Sequence, residues 1–119
     1  MAFEFFNNKG EFFKGNLHGH SNKSDGKLTP EDVCYAYFEN GYNFISITDH
    51  FLEMFDHPIT LPELKIKNFT VIPGAELHTN EMGNGELWHL LALGLKDKFT
   101  PPHQPDFLIN TQSENIESL

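Results

Sequence analysis

Imidazole and carboxylate side chains recur in this sequence at the ends of apolar segments rich in β-forming residues. His18 and His20 are two residues apart, and side chains with that spacing project from the same face of an extended strand. Asp49 and His50 directly follow one apolar run, and Glu76 closes the next. Because the carboxyl ends of parallel strands share one rim in α/β folds, we expect three separate segments to deliver these groups to one place.

A further histidine, His89, opens an apolar segment instead of ending one. The segment covers residues 87–95 and follows the turn-forming stretch Met-Gly-Asn-Gly at 82–85. Such a turn predicts a hairpin, and an antiparallel return would bring His89 near Glu76 and His78. We therefore expect His89 at the same rim, with His78 in a supporting position at most.

Imidazole and carboxylate without thiolate are typical ligands of Zn²⁺, Mn²⁺ or Fe²⁺ in hydrolytic sites. Metal ions a few ångströms apart can hold a phosphoryl group and lower the pKa of a bound water from about 15.7 towards about 7. Two cations at that separation require a bridging carboxylate. Glu76 is the natural candidate for this bridge.

Each of these residues taken alone has a simpler explanation, and other reactive residues fit the chemistry less well. An isolated H-x-H pattern is common in proteins that bind no metal there. His57 and His103 are expected to be solvated loop residues because prolines flank them. Cys34 is expected to pack in the core, since nothing near it in sequence would lower its pKa. Ser21 and Ser24 lack the strained glycine-flanked turn of a serine hydrolase.

Length and composition bound the class of protein. The chain has 119 residues, 39% of them apolar and 12 of them phenylalanine, which predicts a single domain over residues 1–119 with one packed core. The formal net charge of -9 argues against a broad nucleic-acid or anionic-membrane surface. It does not exclude a phosphate substrate, because clustered metal ions invert the local field. The single cysteine excludes an internal disulfide and a Cys₄ zinc site.

The sequence carries no recognisable membrane or export signal. No apolar run approaches the roughly 18 residues that span a bilayer. The first residues include Glu4 where a signal peptide has basic residues. We therefore expect a cytoplasmic protein.

The pattern of turn and apolar residues predicts one helix among several strands. Thr29 is the expected N-cap, Pro30 the first helical residue and Gly41 the stop. Alternation of strand and helix favours an α/β fold with some parallel pairing. The expected strands cover residues 2–6, 11–14, 17–20, 44–48, 69–73 and 87–95, and the tail from residue 100 reads as a linker or as the lead-in to another helix.

Five segments together resemble the PHP (polymerase and histidinol phosphatase) superfamily in order and spacing, with the stand-alone metallohydrolases similar to carbaryl hydrolase as the nearest group. The resemblance runs from about residue 15 to about residue 95. The segments are Gly15-Asn16-Leu17-His18-Gly19-His20-Ser21, Ser24-Asp25-Gly26, Thr48-Asp49-His50, Pro73-Gly74-Ala75-Glu76 and Trp88-His89-Leu90-Leu91-Ala92-Leu93-Gly94.

This resemblance implies an α/β fold, namely the N-terminal half of a distorted (β/α)7 barrel that is incomplete or open in this chain. Family members are roughly twice this length, in line with the roughly 200 or more residues of such barrels. They close the site with a further histidine or cysteine and an Asp-x-His, which the sequence lacks after His89. The chain is therefore expected to be a fragment, or a half-barrel that another chain completes, and its activity alone stays open.

The resemblance also implies a phosphoesterase or related hydrolase with two or three divalent metal ions, Zn, Mn or Fe. Glu76, His50 and Asp49 are expected to carry catalysis, and Asp49 would do so by orienting a ligand. The metal ligands implied by the family pattern are His18 and His20 for one ion, Glu76 as the bridge to a second ion that His89 also binds, and Asp25 and His50 for the third.

Three functions stay open at this point. The leading one is hydrolysis of a small phosphate ester. The second is nucleic-acid processing of the exonuclease type, against which the net charge of -9 weighs. The third is a non-catalytic, truncated module that binds metal. The expected substrate is a small phosphorylated or other ester. The expected protein partner is a second copy of the chain or the C-terminal half of the barrel, and no membrane partner is expected.

Overall fold

The computed structural model describes residues 10–78 and 88–95. Within these ranges four strands form one sheet in the order β1-β2-β3-β4. The elements in chain order are β1 (Gly15–Asn16), α1 (Pro30–Glu39), β2 (Phe44–Ile47), a one-turn 3-10 helix (Glu53–Phe55), β3 (Thr70–His78) and β4 (His89–Leu93).

Helix α1 begins and ends where the sequence predicts. The hydroxyl of Thr29 accepts a hydrogen bond from the backbone N–H of Asp32 at 3.1 Å, which satisfies one of the unpaired donors of the first turn. Pro30 occupies the first turn, where its missing N–H costs nothing. The chain leaves the helix through Gly41, whose φ of 76° is a left-handed conformation that suits glycine.

The sheet combines parallel and antiparallel pairing. β1 pairs with β2 and β2 with β3 in parallel, and Phe44 lies opposite Thr70 in the second of these pairs. β3 and β4 are antiparallel, with His78 opposite His89. The antiparallel return that the sequence predicts for His89 is therefore confirmed.

The expected fold class, an α/β half of a distorted (β/α)7 barrel, is wrong. The described residues are mostly sheet, in a curled four-stranded arrangement with one α-helix. A (β/α)7 unit needs a helix after each strand, but only the turn Glu53–Phe55 separates β2 from β3 among regular elements. The chain then passes from β3 into an antiparallel partner, which a parallel barrel does not contain.

The segment between β2 and β3 explains why no helix forms there. Pro58 and Pro62 lack the N–H that an α-helix interior requires. Asp56 and His57 adopt left-handed backbone angles, with φ of 60° and 46°, and these interrupt any helical path. The parallel crossover is therefore made by extended chain.

Two small apolar clusters hold the sheet. One joins α1 to β2 through the buried side chains of Val33, Cys34, Ile45 and Ile47. The other joins the region after β2 to β3 through Phe51, Ala75 and Leu77. In residues 10–78 and 88–95 no helix is long and apolar enough to cross a membrane.

Several strand boundaries differ from those expected. Residues 11–14 form no strand, and the stretch 17–20 lies beyond the end of β1. β3 continues past its expected end at residue 73 to His78. The predicted strand at 2–6, the turn at 82–85 and the tail from residue 100 lie outside the described residues.

Candidate metal centre

Three consecutive residues after β2 have three different roles. The backbone N–H of Thr48 donates to the carbonyl of Gly19 at 2.8 Å, which ties the H-x-H segment to the end of β2. The Thr48 hydroxyl lies 2.7 Å from Nδ1 of His18. Asp49 points into the interior, and His50 points towards the other imidazoles. One short segment thus positions several parts of the site.

Asp49 fixes the loop that follows the H-x-H motif. Its side chain is fully buried. One carboxylate oxygen accepts from the backbone N–H of Ser21 and from the Ser24 hydroxyl, both at 2.7 Å. The other accepts from the Ser21 hydroxyl at 2.7 Å and from the Thr60 hydroxyl. Asp49 therefore contacts the loop rather than a histidine, and it satisfies its buried oxygens entirely with protein donors.

Backbone hydrogen bonds place Glu76 directly beside His50. The N–H of Glu76 donates to the carbonyl of Asp49 at 3.0 Å, and the N–H of Phe51 donates to the carbonyl of Glu76 at 2.9 Å. His50 and Glu76 form a parallel bridge that extends the pairing beyond β2. The relative position of these two residues is thus set by the sheet itself.

The buried carboxylate of Glu76 faces three imidazoles. Its Oε1 atom lies 2.8 Å from Nδ1 of His89. Its Oε2 atom lies 3.0 Å from Nε2 of His20 and 3.0 Å from Nδ1 of His50. Neither of the latter contacts has hydrogen-bond geometry, so within residues 10–78 and 88–95 the buried Oε2 atom has no hydrogen-bond partner. A buried oxygen without a donor costs free energy, and a cation between these atoms would satisfy it.

Asp25 lies on the more exposed side of the same histidines. Its two oxygens are 2.8 Å from Nδ1 of His20 and 3.3 Å from Nε2 of His50. The hydrogen bond from His20 lowers the pKa of the Asp25 carboxyl, and this effect exceeds the opposing effect of burial; the charges that His50 and His20 can carry lower the pKa further. Asp25 therefore offers a carboxylate to the group.

His78 belongs to the same group of side chains and is not confined to the supporting position expected from the sequence. Its Nε2 atom is 2.6 Å from Nδ1 of His50, and its ring centroid is 4.1 Å from that of His89. Burial, together with the neighbouring His89 and His50, lowers the pKa of His78 to about 4. The spacing of two between Glu76 and His78 was a signal that both face one side of β3.

The expected convergence of His18, His20 and Glu76 is confirmed. Each offers a ligand atom, and these atoms lie within 4.8 Å of one another. Two further groups meet the same criterion. His89 is not a member of any of these groups, but its Nδ1 atom contacts Oε1 of Glu76. The three groups are His18, His20 and Glu76; His20, Asp25 and His50; and His50, Glu76 and His78.

The other candidate residues lie apart from this cluster or have another function. His57 packs its ring 5.0 Å from that of Phe51 and is in none of the three groups. Cys34 is fully buried in the core. Desolvation, with a smaller contribution from the charge of Glu31, raises the pKa of the Cys34 thiol to about 11, which disfavours the nucleophilic thiolate. His103 lies outside the described residues.

A cavity of about 680 Å³ lies among residues of the segment 55–63 and near the start of α1, and no histidine of the described residues lines it. Phe55 forms part of its wall and stacks on the ring of His50 at a centroid distance of 6.3 Å. Pro58, Ile59 and Leu61 supply apolar surface. The charged residues of the lining are Lys23, Glu31, Asp56 and Glu63. The lining thus combines apolar side chains with three acidic ones, and Lys23 is its basic side chain.

No known protein family model and no curated protein matches the chain. The resemblance to the PHP superfamily therefore stays a prediction that depends on the five short segments. The geometry of the side chains is an observation independent of it.

Proposed function

We propose that this chain is a metal-dependent hydrolase of the PHP type, a phosphoesterase that acts on a small phosphate ester through two or three divalent metal ions. One observation supports this most strongly. The buried Oε2 atom of Glu76 has no hydrogen-bond donor, although two imidazole nitrogens lie 3.0 Å away. Hydrogen bonding within the protein leaves this oxygen unsatisfied, and a cation is the simplest group that would satisfy it.

The donor set fits Zn²⁺, Mn²⁺ or Fe²⁺. Imidazole nitrogens and carboxylate oxygens are the ligands that these ions use in hydrolytic sites. Glu76 is suited to join two ions, because its two oxygens face different imidazoles. His18 and His20 would hold one ion with Glu76, His89 would bind the second, and Asp25 and His50 would hold a third. When bound, such ions polarise a phosphoryl group and make a coordinated water acidic.

Neighbouring side chains orient two of these histidines. The Thr48 hydroxyl engages Nδ1 of His18, and Asp25 engages Nδ1 of His20. The Asp25 carboxylate can only accept a hydrogen bond, so its contact favours the His20 tautomer with Nδ1 protonated and the lone pair on Nε2. The proposed ligand atom of His20 is therefore Nε2, whereas the Thr48 hydroxyl can donate or accept and fixes the orientation of the His18 ring but not its tautomer. Asp49 acts one step further away, because it holds the loop between His20 and Asp25.

The cavity that Phe55 lines favours a small substrate over a nucleic-acid strand. Its acidic residues Glu31, Asp56 and Glu63 would repel a chain of phosphates. An apolar wall that includes Phe55 could receive the organic part of a single ester. Phosphoester hydrolysis at the metals with the leaving group in this cavity is the arrangement that we propose.

The experiment compares hydrolysis of p-nitrophenyl phosphate and bis(p-nitrophenyl) phosphate by the full chain before and after chelation. We expect chelator to abolish turnover and Mn²⁺ or Zn²⁺ to restore it. Glu76→Gln keeps the shape of the side chain but removes the charge that two cations share. It should lower the rate by about two orders of magnitude or more, because bound metal supplies several kcal/mol of transition-state stabilisation.

His57→Asn is the matched control for this experiment. Asparagine tolerates the left-handed backbone at this position, where φ is 46°, and His57 is in none of the three ligand groups. Its rate should stay within about twofold of the parent, because the partly buried His57 ring packs on Phe51 and offers no atom to the ligand groups. Turnover that survives chelation, or equal rates in the two variants, would exclude metal-dependent hydrolysis.

A further inference from the structure

His78 occupies a place in the sheet that directs its side chain at the metal centre. Glu76 and His78 are two apart on β3, so both project from the same face of the sheet. His89 lies directly opposite His78 on the antiparallel strand β4, and cross-strand partners also share a face. The pleat of two strands therefore gathers one carboxylate and two imidazoles.

The distances within this part of the site match a set of metal ligands. Nε2 of His78 is 2.6 Å from Nδ1 of His50, and Nδ1 of His50 is 3.0 Å from Oε2 of Glu76. Ligand atoms of all three residues lie within 4.8 Å of one another. Tetrahedral Zn²⁺ with bonds of about 2.0–2.1 Å separates its ligands by roughly 3.4 Å, so small side-chain movements would admit an ion.

The contact between Nδ1 of His50 and Nε2 of His78 has an alternative explanation, namely a hydrogen bond between two imidazoles. In that case His50 would donate its Nδ1–H to His78, and His78 would only orient His50. This alternative leaves Oε2 of Glu76 buried without a donor, because the single proton on Nδ1 of His50 would already be used. A cation among the three atoms removes that cost and also separates two nitrogens that face each other closely.

We propose that His78 is itself a metal ligand, which, together with Nδ1 of His50 and Oε2 of Glu76, holds the ion that His50 binds. This inference depends on the proposed function, because it adds a ligand to the same metal centre. It assigns to β3 two ligands instead of one. It also places three protein ligands, all from the described residues, around the ion that His50 binds.

The test measures the affinity of the full chain for Zn²⁺ by competition with a chromophoric chelator, for the parent and two variants. His78→Ala removes both a ligand and a hydrogen-bond partner. His78→Gln keeps an acceptor for the N–H of His50 but offers an amide, which is a poor ligand for Zn²⁺. If His78 binds the metal, both variants should lose more than about 100-fold in affinity for one ion, above the roughly 10–100-fold effect of residues that only support a ligand.

A second readout follows the histidine itself. In a ¹H–¹⁵N spectrum of the imidazoles, Zn²⁺ should shift the Nε2 signal of His78, which is assigned by its disappearance in His78→Gln. Circular dichroism in chelator should show that each variant is folded, and His57→Asn should bind Zn²⁺ like the parent.

The outcomes separate this inference from the proposed function. If the parent binds Zn²⁺ tightly and His78→Gln binds it equally well, His78 only hydrogen-bonds His50, and the inference fails while the metal centre stands. An unshifted Nε2 signal in the zinc-loaded parent would also overturn the inference. If the parent chain binds no Zn²⁺, the proposed function fails with it.

Discussion

Two buried carboxylates in this protein have opposite surroundings. Asp49 accepts four hydrogen bonds, all from the backbone or hydroxyl groups of Ser21, Ser24 and Thr60. Glu76 has one oxygen with no hydrogen-bond donor and imidazoles on several sides. A carboxylate that the protein satisfies is a structural anchor, whereas one left unsatisfied among potential ligands indicates a binding role. The two residues are chemically alike, and only their partners distinguish them.

We predict that Asp49→Asn destabilises the fold without removing a metal ligand. The amide oxygen can keep the bond from the N–H of Ser21, but the amide nitrogen cannot accept the hydrogen bonds that the Ser21 and Thr60 hydroxyls donate, and the negative charge that strengthens all four bonds is lost. The free energy of unfolding should fall by about 1–3 kcal/mol, the usual cost of losing such a buried hydrogen bond. Urea denaturation in the presence of chelator measures this loss independently of metal.

Asp56→Asn provides the comparison at an exposed position. The backbone there is left-handed, with φ of 60°, and asparagine adopts this conformation readily. Its unfolding free energy should stay within about 0.5 kcal/mol of the parent, as for most surface changes. Equal stability of the two variants would show that the hydrogen bonds of Asp49 do not anchor the loop.

At the scale of elements, a tight loop presents the H-x-H motif. The N–H of Gly26 and the N–H of Ser24 both donate to the carbonyl of Ser21, at 2.8 and 3.1 Å. The chain closes so narrowly that a Cβ on Gly26 would lie 2.6 Å from the carbonyl oxygen of His20. Only glycine permits this approach, so the loop geometry depends on a residue that has no chemistry of its own.

We predict that Gly26→Ala weakens Zn²⁺ binding and stability together. The new methyl group would meet the backbone of His20 and Ser21 at 2.6–2.7 Å, so the loop must open and move Asp25 away from His20. The expected loss of stability is about 1–3 kcal/mol, as for other overpacked sites. Urea denaturation and Zn²⁺ competition measure the two effects.

Gly10→Ala is the same substitution in open space. No atom lies within 4 Å of the position that its Cβ would take, so both stability and affinity should match the parent. If Gly26→Ala and Gly10→Ala behaved alike, the close approach at Gly26 would have no role in holding the site.

The sequence predicted those elements whose signals are local. Helix α1 was foreseen because its cap at Thr29 and its stop at Gly41 act on adjacent backbone groups. The length of β3 was not foreseen, because Pro73 and Gly74 resemble a strand end. The strand continues because Ala75 and Leu77 are buried against Phe51, a tertiary contact that no local signal reveals.

The candidate site was predicted better than the fold around it. Side chains such as His20 and Glu76 were identified by residue type and by position after apolar segments, and the structure brings them together. The fold class was wrong because the expected barrel needs a helix between β2 and β3. The left-handed residues Asp56 and His57, together with Pro58 and Pro62, prevent that helix. His78 was underrated because its role depends on the extension of β3.

For the molecule as a whole, the described sheet has open edges. β4 pairs with β3 on one side only within residues 10–78 and 88–95. Leu91 and Leu93 on this strand are 42% and 40% exposed. Apolar side chains beside an edge with unpaired backbone groups favour association with another strand. His89 also lies on this edge strand and contacts Glu76, so a copy that pairs with β4 would lie beside the metal centre.

We therefore predict that the chain self-associates as its concentration rises from about 10 µM to about 1 mM, the range in which exposed strand edges associate. Leu93→Lys should weaken this association, because a charged side chain at an edge opposes pairing with another copy. Met54→Lys adds the same charge at a residue that is 77% exposed but lies on the 3-10 helix, away from β4, and it should associate like the parent. Sedimentation velocity of the three proteins in chelator measures the effect without metal-mediated contacts. A parent that stays monomeric throughout, or a Leu93→Lys variant that associates like Met54→Lys, would mean that β4 is not the surface through which copies meet.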